Sequence, residues 1–237
     1  MLRRKYVVRA ALFGVASLGV AAAVLLWYAA SDNLPNSAST GLLEAIMPVY
    51  EVQEVHSAHV DAVPADVYAA ILAVTPGETA LARPFLWVRT LPGRLLGGGR
   101  INDALWNEPF LSVPATAILG RAPDREIVVG LIGKFWELRD GERVAVQSRD
   151  QFMTFNRPGF AVSTLSFHID AEGGGCRVTT ITRVRTTDPD ARREFLRYWR
   201  VIGAGSGVLR RTWLLAVKAR AELLSAHRAG SSFAVPP

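Results

Sequence analysis

The sequence predicts an α+β fold: a curved antiparallel β-sheet packed against one long C-terminal helix, preceded by a single transmembrane helix. Three observations predict it. An uncharged apolar run occupies residues 10–31, residues 110–187 read as one strand after another, and a single helical phase of apolar residues runs from Phe195 to Leu224.

The apolar run is 22 residues long, and a spanning helix needs roughly 20. Trp27 and Tyr28 stand near its far end, where amphipathic rings prefer the lipid–water interface. Arg3, Arg4, Lys5 and Arg9 precede it, and no Lys or Arg follows until Arg83. Positive flanks stay in the cytoplasm. Residues 1–9 are therefore expected as a cytoplasmic basic stub, 10–31 as a transmembrane signal-anchor, and the rest as an extracytoplasmic, single-pass tethered domain. A cleaved signal peptide is the competing reading, with Ala29-Ala30-Ser31 as the cut and Arg3-Arg4 as a weak twin-arginine signal. The bulky Trp27-Tyr28 pair before the cut favours the anchor, and both readings export residues 32–237.

Composition excludes other classes. With 50% hydrophobic and 20% charged residues among 237, the chain is a folding one. Four of its positive charges lie before the apolar run, so the net charge of +6 overstates how basic the domain is. No dense basic stripe with stacking aromatics stands outside the C-terminal helix, which argues against nucleic acid. The lone Cys176 excludes an intramolecular disulfide and a multi-cysteine metal site, and reads as a small buried hydrophobe.

The elements follow in order. Residues 32–48, rich in Ser, Asn, Pro and Gly, read as a linker, with a short helical turn over 42–48 that Pro48 ends. Val49–Val63 reads as a first strand. Pro64–Val74 has Pro in the first turn and Val67, Ile71 and Val74 at helical spacing. A second short helix is expected over 78–91 and a Gly-rich loop over 92–107. Strands are expected over 115–120, 126–135, 144–155, 160–169 and 176–187. The breaks at 156–159 and 173–175 read as hairpin loops. Asp188-Pro189-Asp190 opens the long helix, whose phase survives Gly203, Gly205 and Gly207. Residues 229–237 read as a disordered tail.

In this order of elements, and in Val63-Pro-Ala-Asp-Val-Tyr68, Ile132-Gly-Lys-Phe-Trp136, Thr180-Ile-Thr-Arg-Val184 and Phe195-Leu-Arg-Tyr-Trp-Arg-Val-Ile202, residues 49–226 resemble the START-like (SRPBCC) superfamily of helix-grip folds, most closely a bacterial subgroup. The domain is accordingly bounded at 49–228. The resemblance implies a deep apolar pocket between sheet and terminal helix that takes lipids, polyketides or other hydrophobic molecules. It supplies no universal catalytic motif, so no catalytic residue is assigned, and no cofactor is implied.

Candidate chemistry is sparse. His56 and His59 are three apart on a strand and face opposite sides, so they form no metal pair. Ser206, in Gly203-Ala-Gly-Ser-Gly207, lacks the strand–turn–helix setting of a nucleophile elbow. Arg183 inside an apolar strand, Tyr198, Trp199 and Arg210 on the covering helix, and Trp136 mid-sheet are the candidate ligand-binding residues, because a few polar groups in an apolar cavity orient a ligand. Three readings follow: a membrane-tethered binder of a hydrophobic small molecule or lipid, a ligand-free interaction domain of an envelope assembly, and a cyclase- or dehydratase-type enzyme. Protein partners are not legible.

Overall fold

The computed structural model describes residues 30, 32, 41–79, 106–112, 116–137 and 141–232. The expected apolar span, the helix expected beyond Thr79 and the Gly-rich loop as far as residue 105 fall outside them, apart from Ala30. Among the described residues no helix is long and apolar enough to cross a membrane.

A short helix α1 (Leu42–Ile46) precedes strand β1 (Val52–Val60) and helix α2 (Pro64–Ala73). Strands β2 (Ala117–Ala122), β3 (Glu126–Gly133) and the two-residue β4 (Arg143–Val144) lead to helix α3 (Arg149–Thr154). Strands β5 (Ala161–Glu172) and β6 (Gly175–Thr186) then lead to helix α4 (Pro189–Ser232). The strands form one antiparallel, curved sheet in the order β1-β6-β5-β3-β2, with β4 on β3. The α+β architecture with a long terminal helix is as expected.

Two local expectations are corrected. Residues 144–155 are not a strand: Ser148 accepts a hydrogen bond from the Gln151 amide and starts α3, leaving only Arg143–Val144 in the sheet. An N-cap side chain answers an amide that a strand would have paired, and so redirects the chain. In consequence residues 156–159 join a helix to a strand and are no hairpin loop. The other break is one: β5 and β6 pair from Ala161↔Thr186 to Glu172↔Gly175, and Gly173 and Gly174 both adopt positive φ, as a two-residue hairpin connection requires. The long helix is continuous through its glycines to Ser232, extending into the expected tail.

The sheet is covered on both faces. Directly paired residues share a face, so the register puts Val52, Glu54, His56, Ala58 and Val60 of β1 beside Val184, Thr182, Thr180, Val178 and Cys176 of β6. Leu165 and Phe167 of β5 and Val129 and Ile127 of β3 continue that face. Its core also holds Val67, Ala70 and Ile71 of α2 and Trp213, Leu214, Val217 and Ala221 of α4. Cys176 lies in it, fully buried, its thiol donating to the Ala62 carbonyl at 3.1 Å; burial raises its pKa. The opposite face carries Val55, Val128, Ile132, Val162 and Ile181 against Leu43, Ile46 and Met47 of and just after α1, and Phe152 of α3. The stretch expected as linker thus contributes a core helix.

Polar contacts fasten the ends. The Asp32 amide donates to the Val55 carbonyl at 2.6 Å, and the Asp32 carboxylate receives the Ser57 amide and the Arg211 guanidinium, each at 2.8 Å. Arg211 also donates to the Ala30 carbonyl at 3.0 Å. At the start of α4, Asp188 accepts the amides of Asp190 and Ala191 at 2.9 Å and of Gly159 at 2.5 Å. The Ala191 amide above all, then that of Gly159, holds the Asp188 carboxyl below its ordinary 3.8. A depressed carboxyl pKa contributes stability above the ordinary value, lost as pH falls through the folded value. Asp188→Asn is therefore expected to lower the urea midpoint of the full chain at neutral pH. Its deficit against the parent should shrink as pH drops below about 3.8, which a series of unfolding curves across acid pH checks.

Candidate functional site

The helix face that α4 turns to the sheet is apolar at two places and polar between them. Phe195 packs with Ala161 and Val184, with Val52, Phe135, Trp136, Leu196, Tyr198 and Trp199 around them. Further along, Trp213 stacks on Phe110, ring centroids 3.9 Å apart, and meets Phe167 edge-on at 5.0 Å. Between these clusters the helix carries Gly203, Ser206, Gly207 and Arg210. Gly203 has no Cβ to push into the Trp199 indole, which would lie 3.2 Å away.

Opposite this stretch the sheet is polar too. Glu54 and His56 stand two residues apart on β1, paired with Thr182 and Thr180 on β6. All four are buried, His56 completely. Burying such groups is unfavourable unless they are hydrogen-bonded. The Glu54 carboxylate meets His56 Nε2 at 3.0 Å and receives the Ser206 hydroxyl at 2.9 Å. Arg210 follows Ser206 by one helical turn, its guanidinium 5.5 Å from the Trp213 ring centroid. Burial pulls the Arg210 guanidinium below its ordinary value, and the Glu54 charge opposes the shift.

One carboxylate thus contacts a histidine and a serine, and the belt around it is still incomplete. His56 Nδ1, Thr180 Oγ1, Thr182 Oγ1, Arg210 Nε and Trp213 Nε1 are all buried without a hydrogen-bond partner. Buried polar atoms are nearly always satisfied. Five unsatisfied ones on one sheet–helix interface mark the place where an added molecule would find donors and acceptors waiting.

The structure distributes the sequence candidates unevenly. Arg210 lies in the belt. Trp136, Tyr198 and Trp199 are half-buried together at the neighbouring apolar cluster of the same helix. Arg183 is on the other face of the sheet. It is 1% exposed, donates to Glu44 and the Met47 carbonyl at 2.8 Å and to Gln53 at 2.9 Å, and stacks on Tyr50 at 4.3 Å. There it ties α1 to the sheet. His59 does face away from His56, at an exposed position beside Asp61 and Glu172. Sequence reasoning passed over Glu54, Thr180 and Thr182, and weighed His56 only as a metal ligand and Ser206 only as a nucleophile. A signal existed: two strands each carry a polar i, i+2 pair flanked by valines of the same parity, Val52 and Val60 on one, Val178 and Val184 on the other. Among the described residues no group of three or more His, Cys, Asp and Glu is placed to hold a metal ion.

No protein-family model matches the chain, and comparison with curated proteins gives no match. Among solved structures the chain is similar to the di-domain ARO/CYC StfQ of the steffimycin biosynthetic pathway, with 12% identity and a TM-score of 0.37 over 76% of this chain and 52% of that one. It therefore spans about half the length of that protein. It is also similar to a Mesorhizobium loti protein (14% identity, TM-score 0.32, 70% of this chain and 96% of that one). A Thermus thermophilus protein gives 12% identity and a TM-score of 0.29 over 73% and 99% of the two chains.

The belt makes its own energetic prediction. Glu54→Leu strands Ser206 and His56 together, and is expected to destabilise the chain by about 3 kcal/mol, as breaking a buried pair from one side does. Adding His56→Leu should recover about half of that loss, because the orphaned imidazole leaves with it. Urea unfolding of the two variants beside the parent measures both.

Proposed function

We propose that the chain is a membrane-tethered, START-like helix-grip domain that holds a hydrophobic small molecule or lipid between the sheet and α4. The observation that carries this reading is the buried belt of unpartnered polar atoms between two apolar clusters. An apolar lining with a few fixed polar groups is how small-molecule sites combine affinity with orientation. Arg210, Glu54, His56, Thr180, Thr182 and Ser206 would orient the ligand, and Trp136, Tyr198 and Trp199 would line its apolar end. A ligand-free interaction domain gives no account of those atoms.

A second reading, an enzyme of the cyclase or dehydratase sort, is favoured by one contact. A carboxylate fixing one nitrogen of a buried imidazole whose other nitrogen is unpartnered is an arrangement suited to proton transfer.

Two experiments test the proposal. Native mass spectrometry of the gently purified full chain, followed by organic extraction, should release a hydrophobic molecule of lipid or polyketide size. A bare mass that stays unshifted after challenge with a lipid mixture would end the binding reading. Conversion of the extracted molecule on prolonged incubation would establish the enzyme. The tether is tested separately: the full chain should sediment with membranes, resist extraction by carbonate, and lose its domain to protease added from the extracytoplasmic side. Release into the carbonate supernatant would remove the anchor from the proposal without touching the ligand site.

A further inference from the structure

The belt lies between β1, β6 and α4, and β1 is the edge of the sheet: among the described residues it pairs with β6 alone. An interface between an edge strand and a helix has a flank that no neighbouring strand covers. How that flank is closed decides how a guest reaches the belt.

The chain itself crosses the flank, at Ala30 and Asp32. The Asp32 amide donates to the Val55 carbonyl at 2.6 Å, and Asp32 Oδ2 accepts the Ser57 amide at 2.8 Å and the Ser57 hydroxyl at 3.1 Å. Unpaired backbone groups along an edge strand are what an added strand would take. Asp32 Oδ1 accepts Arg211 at 2.8 Å, and the same Arg211 nitrogen donates to the Ala30 carbonyl at 3.0 Å. The carboxylate straddles the sheet edge: one oxygen holds β1 and the other holds α4.

Both anchor points adjoin the belt. Val55 and Ser57 stand on either side of His56, and strand alternation points their side chains away from α4. Arg211 follows Arg210, about 100° round the helix, so Arg210 turns to the belt and Arg211 to the flank. The ion pair is at the rim: the Asp32 side chain is 29% exposed and that of Arg211 17%. Burial opposes ionisation of Asp32, but the Ser57 amide and Arg211 outweigh it and hold its carboxyl below the ordinary 3.8. These contacts are polar and reachable by water, so they can open without disturbing the packed core.

We propose, on the binding reading above, that Ala30 and Asp32 form a strap across the β1–α4 flank, and that a hydrophobic guest reaches the belt through this flank when the Asp32–Arg211 pair parts.

Access is read with a thiol placed in the belt. The full chain carrying Ser206→Cys, in lipid nanodiscs, is treated with iodoacetamide, and labelling at position 206 is followed beside labelling at Cys176. Cys176 lies fully buried in the apolar core and reports any general loosening. Adding Asp32→Ala, or separately Arg211→Ala, should speed labelling at position 206 about tenfold, the scale of one hydrogen bond to a charged group, and leave Cys176 as slow as before. Both substitutions undo the same strap, so combining them should add little to either alone. They remove opposite charges, so a purely electrostatic effect on the introduced thiol would shift its reactivity in opposite directions. Equal labelling with and without the ion pair, opposite shifts in the two variants, or a matching acceleration at Cys176 would each overturn the inference. The labelling requires no ligand, so any of those results leaves the hydrophobic-binding reading standing. Failure of that reading shows separately, as the bare unshifted mass.

Discussion

The side chain of Glu54 is the constraint around which this interface is organised. It is a buried carboxylate in a short polar stretch of a sheet face that turns apolar beyond it, at Val60 on its own strand and at Val178 and Val184 on the next. Such a charge persists only where partners surround it. Here they come from two directions: His56 from its own strand, Ser206 and the field of Arg210 from the helix. The carboxylate thereby fixes the rotation of α4 over the sheet. A turn of the helix by one residue would withdraw the Ser206 hydroxyl from the carboxylate. Hydrophobic packing alone sets no such register, because apolar contacts are non-directional.

The two faces of the sheet use arginine differently. On one, Arg183 has its guanidinium occupied by Glu44, Gln53 and the Met47 carbonyl, with the Tyr50 ring stacked on it. Three of its donor directions end on protein, as a planar, rigid donor fork allows. On the other, Arg210 keeps Nε without a partner. The first arrangement closes a layer and the second leaves one open. The same residue type is structural or available according to how many acceptors the surrounding elements bring.

Much of the fold was legible because its signals are local. Asp188-Pro189 announced the start of α4, and the apolar phase from Phe195 to Val217 announced the face it buries. The phase breaks down at Leu224, which is exposed where the helix runs on beyond the sheet. Residues 144–155 misled because Val144, Val146 and Phe152 are apolar enough for a strand, whereas the cap at Ser148 decides the outcome. The site was less legible. Arg183 drew attention as a charge in an apolar strand, but strand parity alone does not tell which face meets α4 and which meets α1. Glu54 and His56 escaped because their partners lie in another strand and in a helix some 150 residues away, and spacing within one segment carries no trace of that meeting.

Were residues 10–31 to span a membrane, the docking of Asp32 against Ser57 and Arg211, with the Ala30 carbonyl also on Arg211, would set what kind of tether this chain could have. Seen as sequence, the residues after the apolar run look like a leash on which a domain could wander well above a bilayer. With the chain pinned again at residue 32, the free length between a span ending near residue 31 and the body of the protein shrinks to almost nothing. The domain would then have neither reach nor much freedom to tumble. It would hold one fixed aspect toward the lipid, with the middle of α4 nearest the surface. A hydrophobic guest passing between the bilayer and the neighbourhood of Arg210 would have the shortest journey through water that the architecture permits.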